Sequence, residues 1–151
     1  MSEELKKFRM PAEWEPQKSV WIAWPYNKSD WPGLYKFIPK VILEIIFIIS
    51  KSLKVNLIVN KKITNVKKLI NSNKITNIKF HNIKTDRIWL RDSGPIFITN
   101  RKDNKKMILN FGYNGWSKYS NYKNDNKIND KISKIFKFNS HLASNIYDSK
   151  F

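Results

Sequence analysis

Short β-prone runs alternate with stretches of helical period along the first half of the chain, and this alternation limits the fold more than any other feature. Residues 19–24 (Ser-Val-Trp-Ile-Ala-Trp) form a compact apolar run, expected to be a buried strand. Residues 34–53 follow with apolar side chains almost all round the helical circumference between Val41 and Ile49. That helix is expected to be buried on most sides, with Pro39 tolerated only in its first turn. A second strand is expected over 55–59 (Val-Asn-Leu-Ile-Val), and then Ile63, Val66, Leu69 and Ile70 recur at helical spacing. Ile78 and Phe80 alternate with Lys79 and His81, as in a half-exposed strand. Further on, 96–99 and 107–111 are expected to pair as a hairpin across the polar turn 100–106. Ile128, Ile132 and Ile135 mark a last amphipathic helix, and residues 139–151 show no clear period. The order β-α-β-α-β, then β-β-α, puts the chain in the α/β or α+β class.

The chain has 151 residues, enough for one domain with a real core. Its formal net charge is +17, a balance that raises nucleic acid as a partner. However, Lys, Asn and Ile together make 64 of the residues, all three are encoded by AT-rich codons, and the lysines are spread from Lys6 to Lys150. Codon bias accounts for the charge better than a binding footprint does, so nucleic acid is not the favoured partner. Cysteine is absent, which excludes disulfides, thiolate metal sites and a cysteine nucleophile within these residues. Residues 1–10 are polar and carry both signs, unlike a secretory leader. The longest apolar run, 41–49, is interrupted by Glu44 and is well short of the ~20 residues of a membrane helix. No membrane association and a cytoplasmic location are the expectations.

Chemistry concentrates in Asp86-Arg87-Ile88-Trp89-Leu90-Arg91-Asp92-Ser93-Gly94-Pro95. The chain has 25 Lys and four Arg, and two of those Arg fall here. Arginine offers a planar fork that lysine cannot, so Arg87 and Arg91 are expected to hold the loop around a functional carboxylate, Asp92. Asp86 and Asp92 could work as a pair in acid–base chemistry or as a cation clamp, and a structural ion pair is the competing reading. Trp89, three residues before Asp92, offers a flat face to a cationic ligand. Together the two suit a planar guanidinium. Ser93 lacks a nucleophile frame, and His81 and His141, the only histidines, do not make a zinc site. A second aromatic stretch, Asn110-Phe111-Gly112-Tyr113-Asn114-Gly115-Trp116, is either a ligand-approaching turn or a packed one.

These residues carry a family resemblance. Met10-Pro11-Ala12-Glu13-Trp14-Glu15-Pro16, Trp21-Ile22-Ala23-Trp24-Pro25 and Trp31-Pro32-Gly33 resemble the opening of the agmatine deiminases, grouped with the Porphyromonas-type peptidylarginine deiminases. Thr85-Asp86-Arg87 with Trp89-Leu90-Arg91-Asp92-Ser93-Gly94-Pro95, and then 110–116, are similar to that family's next motifs, in order and spacing. The resemblance implies part of a five-bladed α/β propeller of the guanidino-modifying (pentein) superfamily, roughly its first two blades. It implies hydrolysis of a guanidine C–N bond without metal or organic cofactor, by attack of a cysteine thiolate. With agmatine the products are N-carbamoylputrescine, on the route to putrescine, and ammonia; peptidyl arginine is the other substrate class. Asp92 would bind guanidinium nitrogens and Trp89 would line the pocket, with Asp86, Arg87, Arg91, Asn114 and Trp116 as loop support. The family's Glu-Gly-Gly, His-x-Asp and nucleophilic cysteine motifs are not found here, and Ser117-Lys118-Tyr119 stands where a Gly-Gly pair is usual.

Residues 1–151 are therefore expected to be the N-terminal portion of one deiminase domain, inactive alone because the cysteine and the catalytic histidine are missing, and not very stable alone. A small guanidino substrate and a separately encoded C-terminal half are the expected partners, and a homo-oligomer is compatible with the sequence. The alternatives are a noncatalytic guanidine- or partner-binding module and, last, a basic nucleic-acid binder.

Overall fold

The computed structural model describes Glu3, residues 5–60 and residues 63–143. In chain order the strands are β1 (Phe8–Arg9), β2 (Ser19–Ala23), β3 (Lys54–Val59), β4 (Ile78–Asn82), β5 (Ile96–Asn100), β6 (Lys106–Asn110) and β7 (Asn139–Leu142). The helices are α1 (Ile38–Ser50), α2 (Ile63–Ser72), the single turn α3 (Leu90–Ser93) and α4 (Ile128–Phe136). The chain forms two compact units: Pro16–Leu90, and Met1–Glu15 together with Arg91–Phe151.

The first, hereafter the parallel unit, is a three-stranded sheet in the order β2-β3-β4, with both pairings parallel. Parallel neighbours need a crossover, and α1 and α2 supply the two. Central β3 is buried from Val55 to Val59, which matches its nearly unbroken apolar sequence. Ile46 of α1, Val66 and Ile70 of α2, and Ile75 close on Val55, Leu57 and Val59. Each fully buried aliphatic side chain of this kind contributes about 1.5–3 kcal/mol. The one polar side chain in the middle of β3, Asn56, is 4% exposed and meets His81 of β4, Oδ1 to Nε2, at 3.0 Å. This satisfies His81, which is buried although the alternation placed it on the exposed side of a half-exposed strand.

Helix α1 corrects the expectation of burial on most sides. It opens with Pro39 in its first turn, but it buries only one side fully, through Ile46 and Ser50. Val41, Ile45, Phe47 and Ile48 are exposed, as is Phe37 just before it.

The second, mixed unit has the strand order β1-β5-β6-β7. The β5–β6 hairpin is antiparallel, as expected of two runs flanking a polar turn, with Phe97 opposite Ile108. β1 adds antiparallel to β5, and β7 adds parallel to β6 after the crossover through α4. One sheet face packs Leu5, Phe8, Ile98, Met107 and Leu109 together. The other turns Asn110 toward α4, where Asn129 donates to its Oδ1 at 2.7 Å and its own Nδ2 donates to Asp130 at 3.3 Å. Ile108, Ile128 and Ile132 are fully buried. The strand β7 corrects the reading of residues 139–151 as aperiodic; of that stretch, 144–151 lie outside the described residues. Among the described residues no helix is long and apolar enough to cross a membrane.

Candidate functional site

In the parallel unit all three strands end on the same side, and the segments that follow them gather there, as parallel sheets arrange for ligand sites. The gathering point is the backbone of Thr85, a residue only 1% exposed. Tyr26, beyond β2, donates its hydroxyl to the Thr85 carbonyl. Asn60, just past β3, donates to the same oxygen at 3.1 Å. Asn27 donates to the Asp86 carbonyl at 3.5 Å. The next residue, Arg87, forms an ion pair with Asp30, with side-chain exposures of 7% and 0% respectively. Asp30 Oδ1 also accepts from Asn27 at 3.2 Å. Burial pushes the Asp30 carboxyl above its ordinary 3.8, against the pull of the Arg87 guanidinium. Trp89 lies with its ring centroid 5.8 Å from that of Trp31, tilted 43°, and keeps 39% of its surface exposed.

In the mixed unit Asp92 is exposed, and its Oδ1 accepts from the indole Nε1 of Trp116 at 3.3 Å. Trp116 sits in a left-handed run, with φ +67° at Gly115, +57° at Trp116 and +57° at Ser117. Left-handed backbone costs a residue with a Cβ about 1–2 kcal/mol, so this turn is strained at two positions. Asn114 braces it: its Oδ1 accepts from the Ser117 amide at 3.1 Å and its Nδ2 donates to the Ser117 hydroxyl at 3.0 Å. A side chain at Gly115 would press on Tyr122 at 3.3 Å, and the positive φ there favours glycine in any case. Tyr113 packs edge-on against Trp116, at 5.3 Å, and against Tyr122.

The predicted residues thus have distinct partners. Arg87 was expected to hold the loop around Asp92, and its ion pair is with Asp30. Arg91 pairs with Glu13 at 3.0 Å on the surface, both side chains more than three-quarters exposed. Within the mixed unit Trp116 donates to Asp92, and Asn114 bonds to Ser117, the residue after Trp116. The boundary between the units falls between Leu90 and Arg91, so Trp89 and Asp92 belong to different units. Ser93 is buried. Sequence reading missed Asp30, Tyr26 and Asn60. The available signal was a lone carboxylate between two aromatics in a loop of a lysine-rich chain.

A cavity of about 620 Å³ in the mixed unit lies elsewhere, lined by Lys7, Phe8, Lys105, Lys106, Lys137 and Phe138 among others. It contains none of the predicted site residues. Among the described residues no group of three or more His, Asp or Glu is placed to hold a metal ion.

The family model described as Porphyromonas-type peptidyl-arginine deiminase matches residues 9–147. The chain belongs to that family. Within it, a Marinomonas sp. protein provisionally named an agmatine deiminase is 30% identical over 139 residues, covering 89% of this chain and 37% of its own length. A Yersinia pseudotuberculosis protein of the same provisional name is 28% identical, with 91% and 38% covered. The chain therefore spans under two-fifths of the length of the curated relatives it matches. Among solved structures, a provisionally named agmatine deiminase superposes with a TM-score of 0.85 at 28% identity, covering 92% of this chain and 39% of that one. The C. jejuni agmatine deiminase, solved as a cysteine-to-serine variant with substrate bound, gives 0.75 at 28% identity, with 89% and 39% covered. These family members share the α/β fold described above.

Proposed function

We propose that these residues form the guanidinium-gripping part of a guanidino-group hydrolase, with agmatine as the substrate. One observation carries this reading. Asp92 keeps its carboxylate at the surface, steadied by a neutral indole N–H, so it remains available to a cation. Within the mixed unit no lysine or arginine among the described residues forms an ion pair with it. A carboxylate facing a guanidinium makes paired, charge-assisted hydrogen bonds in a geometry that a simple ammonium cannot copy. Trp89, in its own unit, is 39% exposed, and an indole is a side chain that attracts planar cations.

The 151 residues hold no cysteine. In this reading they bind and orient the guanidinium, and the thiolate that attacks its carbon belongs to residues outside them. The names of the curated relatives favour agmatine over peptidyl arginine. The partial five-bladed propeller belongs to the same proposal, each unit supplying one sheet of it.

Calorimetry on this chain tests the reading. Agmatine is expected to bind, putrescine to bind much more weakly, and Asp92→Ala to lower agmatine affinity about 10- to 100-fold. No binding by the native chain, or equal binding by the variant, refutes it.

A further inference from the structure

Within the parallel unit two segments lie side by side and are tied at successive points. Tyr26 reaches Thr85, Asn27 reaches Asp86, Asp30 reaches Arg87 and Trp31 reaches Trp89. The order along one segment is the order along the other. Three ties involve backbone carbonyls or charged groups, and the last is a contact between two indole rings. The one ionic tie, Asp30 with Arg87, has both side chains buried, and it stands one residue from Trp31 and two from Trp89.

From this arrangement we infer that the Asp30–Arg87 ion pair is a positioning device for Trp89, fixing the orientation of its partly exposed indole. Stability alone does not account for such a pair. Removing two charges from water is costly, and an apolar pair of similar volume usually does as well. The cost is raised further here, because Asp30 Oδ2 is buried without a hydrogen-bond partner among the described residues. What an ion pair supplies that an apolar pair does not is a fixed register between two segments. Trp31 and Trp89 sit where that register is read out: one ring is held by the other and by nearby Tyr35, while Trp89 stays 39% exposed. That this indole meets the guanidino ligand rests on the function proposed above; the positioning itself does not.

The test is fluorine NMR on the chain labelled with fluorotryptophan, with lines assigned by single Trp→Phe variants. Trp21, which packs against His81 inside the sheet at 4.8 Å, reports whether the unit is folded. Two variants are compared with the native chain: Asp30→Asn, and the apolar double variant Asp30→Leu with Arg87→Met. The expected result is a native Trp21 line in the double variant, with the Trp89 line shifted and broadened. If both lines stay native in both variants, the inference is overturned. If both collapse in Asp30→Asn and both are native in the double variant, the pair is merely part of the fold, and the inference is again overturned. Agmatine titration is run separately. A moved Trp89 line with about tenfold weaker agmatine binding supports the positioning role and its link to ligand. A moved line in a chain that binds no agmatine keeps the positioning role and removes the function proposed above.

Discussion

Arg87 and Arg91 are the same residue type, four positions apart, on either side of the boundary between the units. In the parallel unit Arg87 is buried against Asp30; in the mixed unit Arg91 lies in water against Glu13. The comparison separates two uses of one side chain. A buried guanidinium with a buried carboxylate fixes backbone segments, because neither group can be left alone. An exposed pair is weakened by solvent and by the entropy of two long side chains, so it fixes little. The free carboxylate of the motif, Asp92, falls on the second side.

The largest effect should come from breaking the buried member. Arg87→Ala leaves the Asp30 carboxylate buried and unpaired, and is expected to cost the parallel unit about 3–5 kcal/mol in urea unfolding. Arg91→Ala should cost about 0–1 kcal/mol in the same measurement. Equal effects would abolish the contrast.

A smaller effect belongs to the mixed unit. Ser117→Gly relieves one left-handed position, although it loses the Asn114 contact to the hydroxyl. It is expected to raise stability by about 0.5–1 kcal/mol, measured by thermal unfolding. A loss of stability would mean that the Asn114 contact outweighs the backbone strain.

Acid sharpens the comparison further. Burial in the sheet, helped by Lys79 and Lys54, holds the His81 pKa below its ordinary 6.5. The unfolded chain therefore takes up this proton first, and the parallel unit loses stability as pH falls from 6.5 through the folded value. The mixed unit has its counterpart in Glu15, which Arg9 grips with both nitrogens at 2.5 and 2.8 Å and the Ala12 amide holds at 2.8 Å. These bonds depress the Glu15 carboxyl to about 2, so its contribution is intact above 4.5 and is lost between 4.5 and about 2. Hydrogen exchange followed against pH should show the parallel unit loosening first, and His81→Gln should remove that early step. Simultaneous loosening of both units in the native chain would contradict the assignment.

Much of the fold was legible because its signals are local. The run 55–59 reads as a strand from its composition, and the β5–β6 hairpin from two runs flanking a polar turn. β1 and β7 were not legible. Phe8–Arg9 is too short to show a period, and Asn139–Leu142 is mostly polar, so each is a strand only because a neighbour offers it a ladder. The exposed side of α1 was misread because apolar composition reports what could be buried, not what is. From the two motif stretches the sequence singled out Asp92 and Trp116, and these two side chains meet in the structure. Asp30 went unnoticed because its partner lies 57 positions away, and the aromatics around residue 30 mark the loop without naming that partner.

The two units also differ in how their chain is threaded. Every strand of the parallel sheet comes from one uninterrupted stretch, whereas β1 of the mixed sheet must find β5 across the whole of that stretch. On a ribosome that releases the polypeptide from its first residue, the contiguous sheet can close while β5 is still unmade. The early residues around Phe8 must meanwhile wait in solution, their ladder groups open to any other strand that passes.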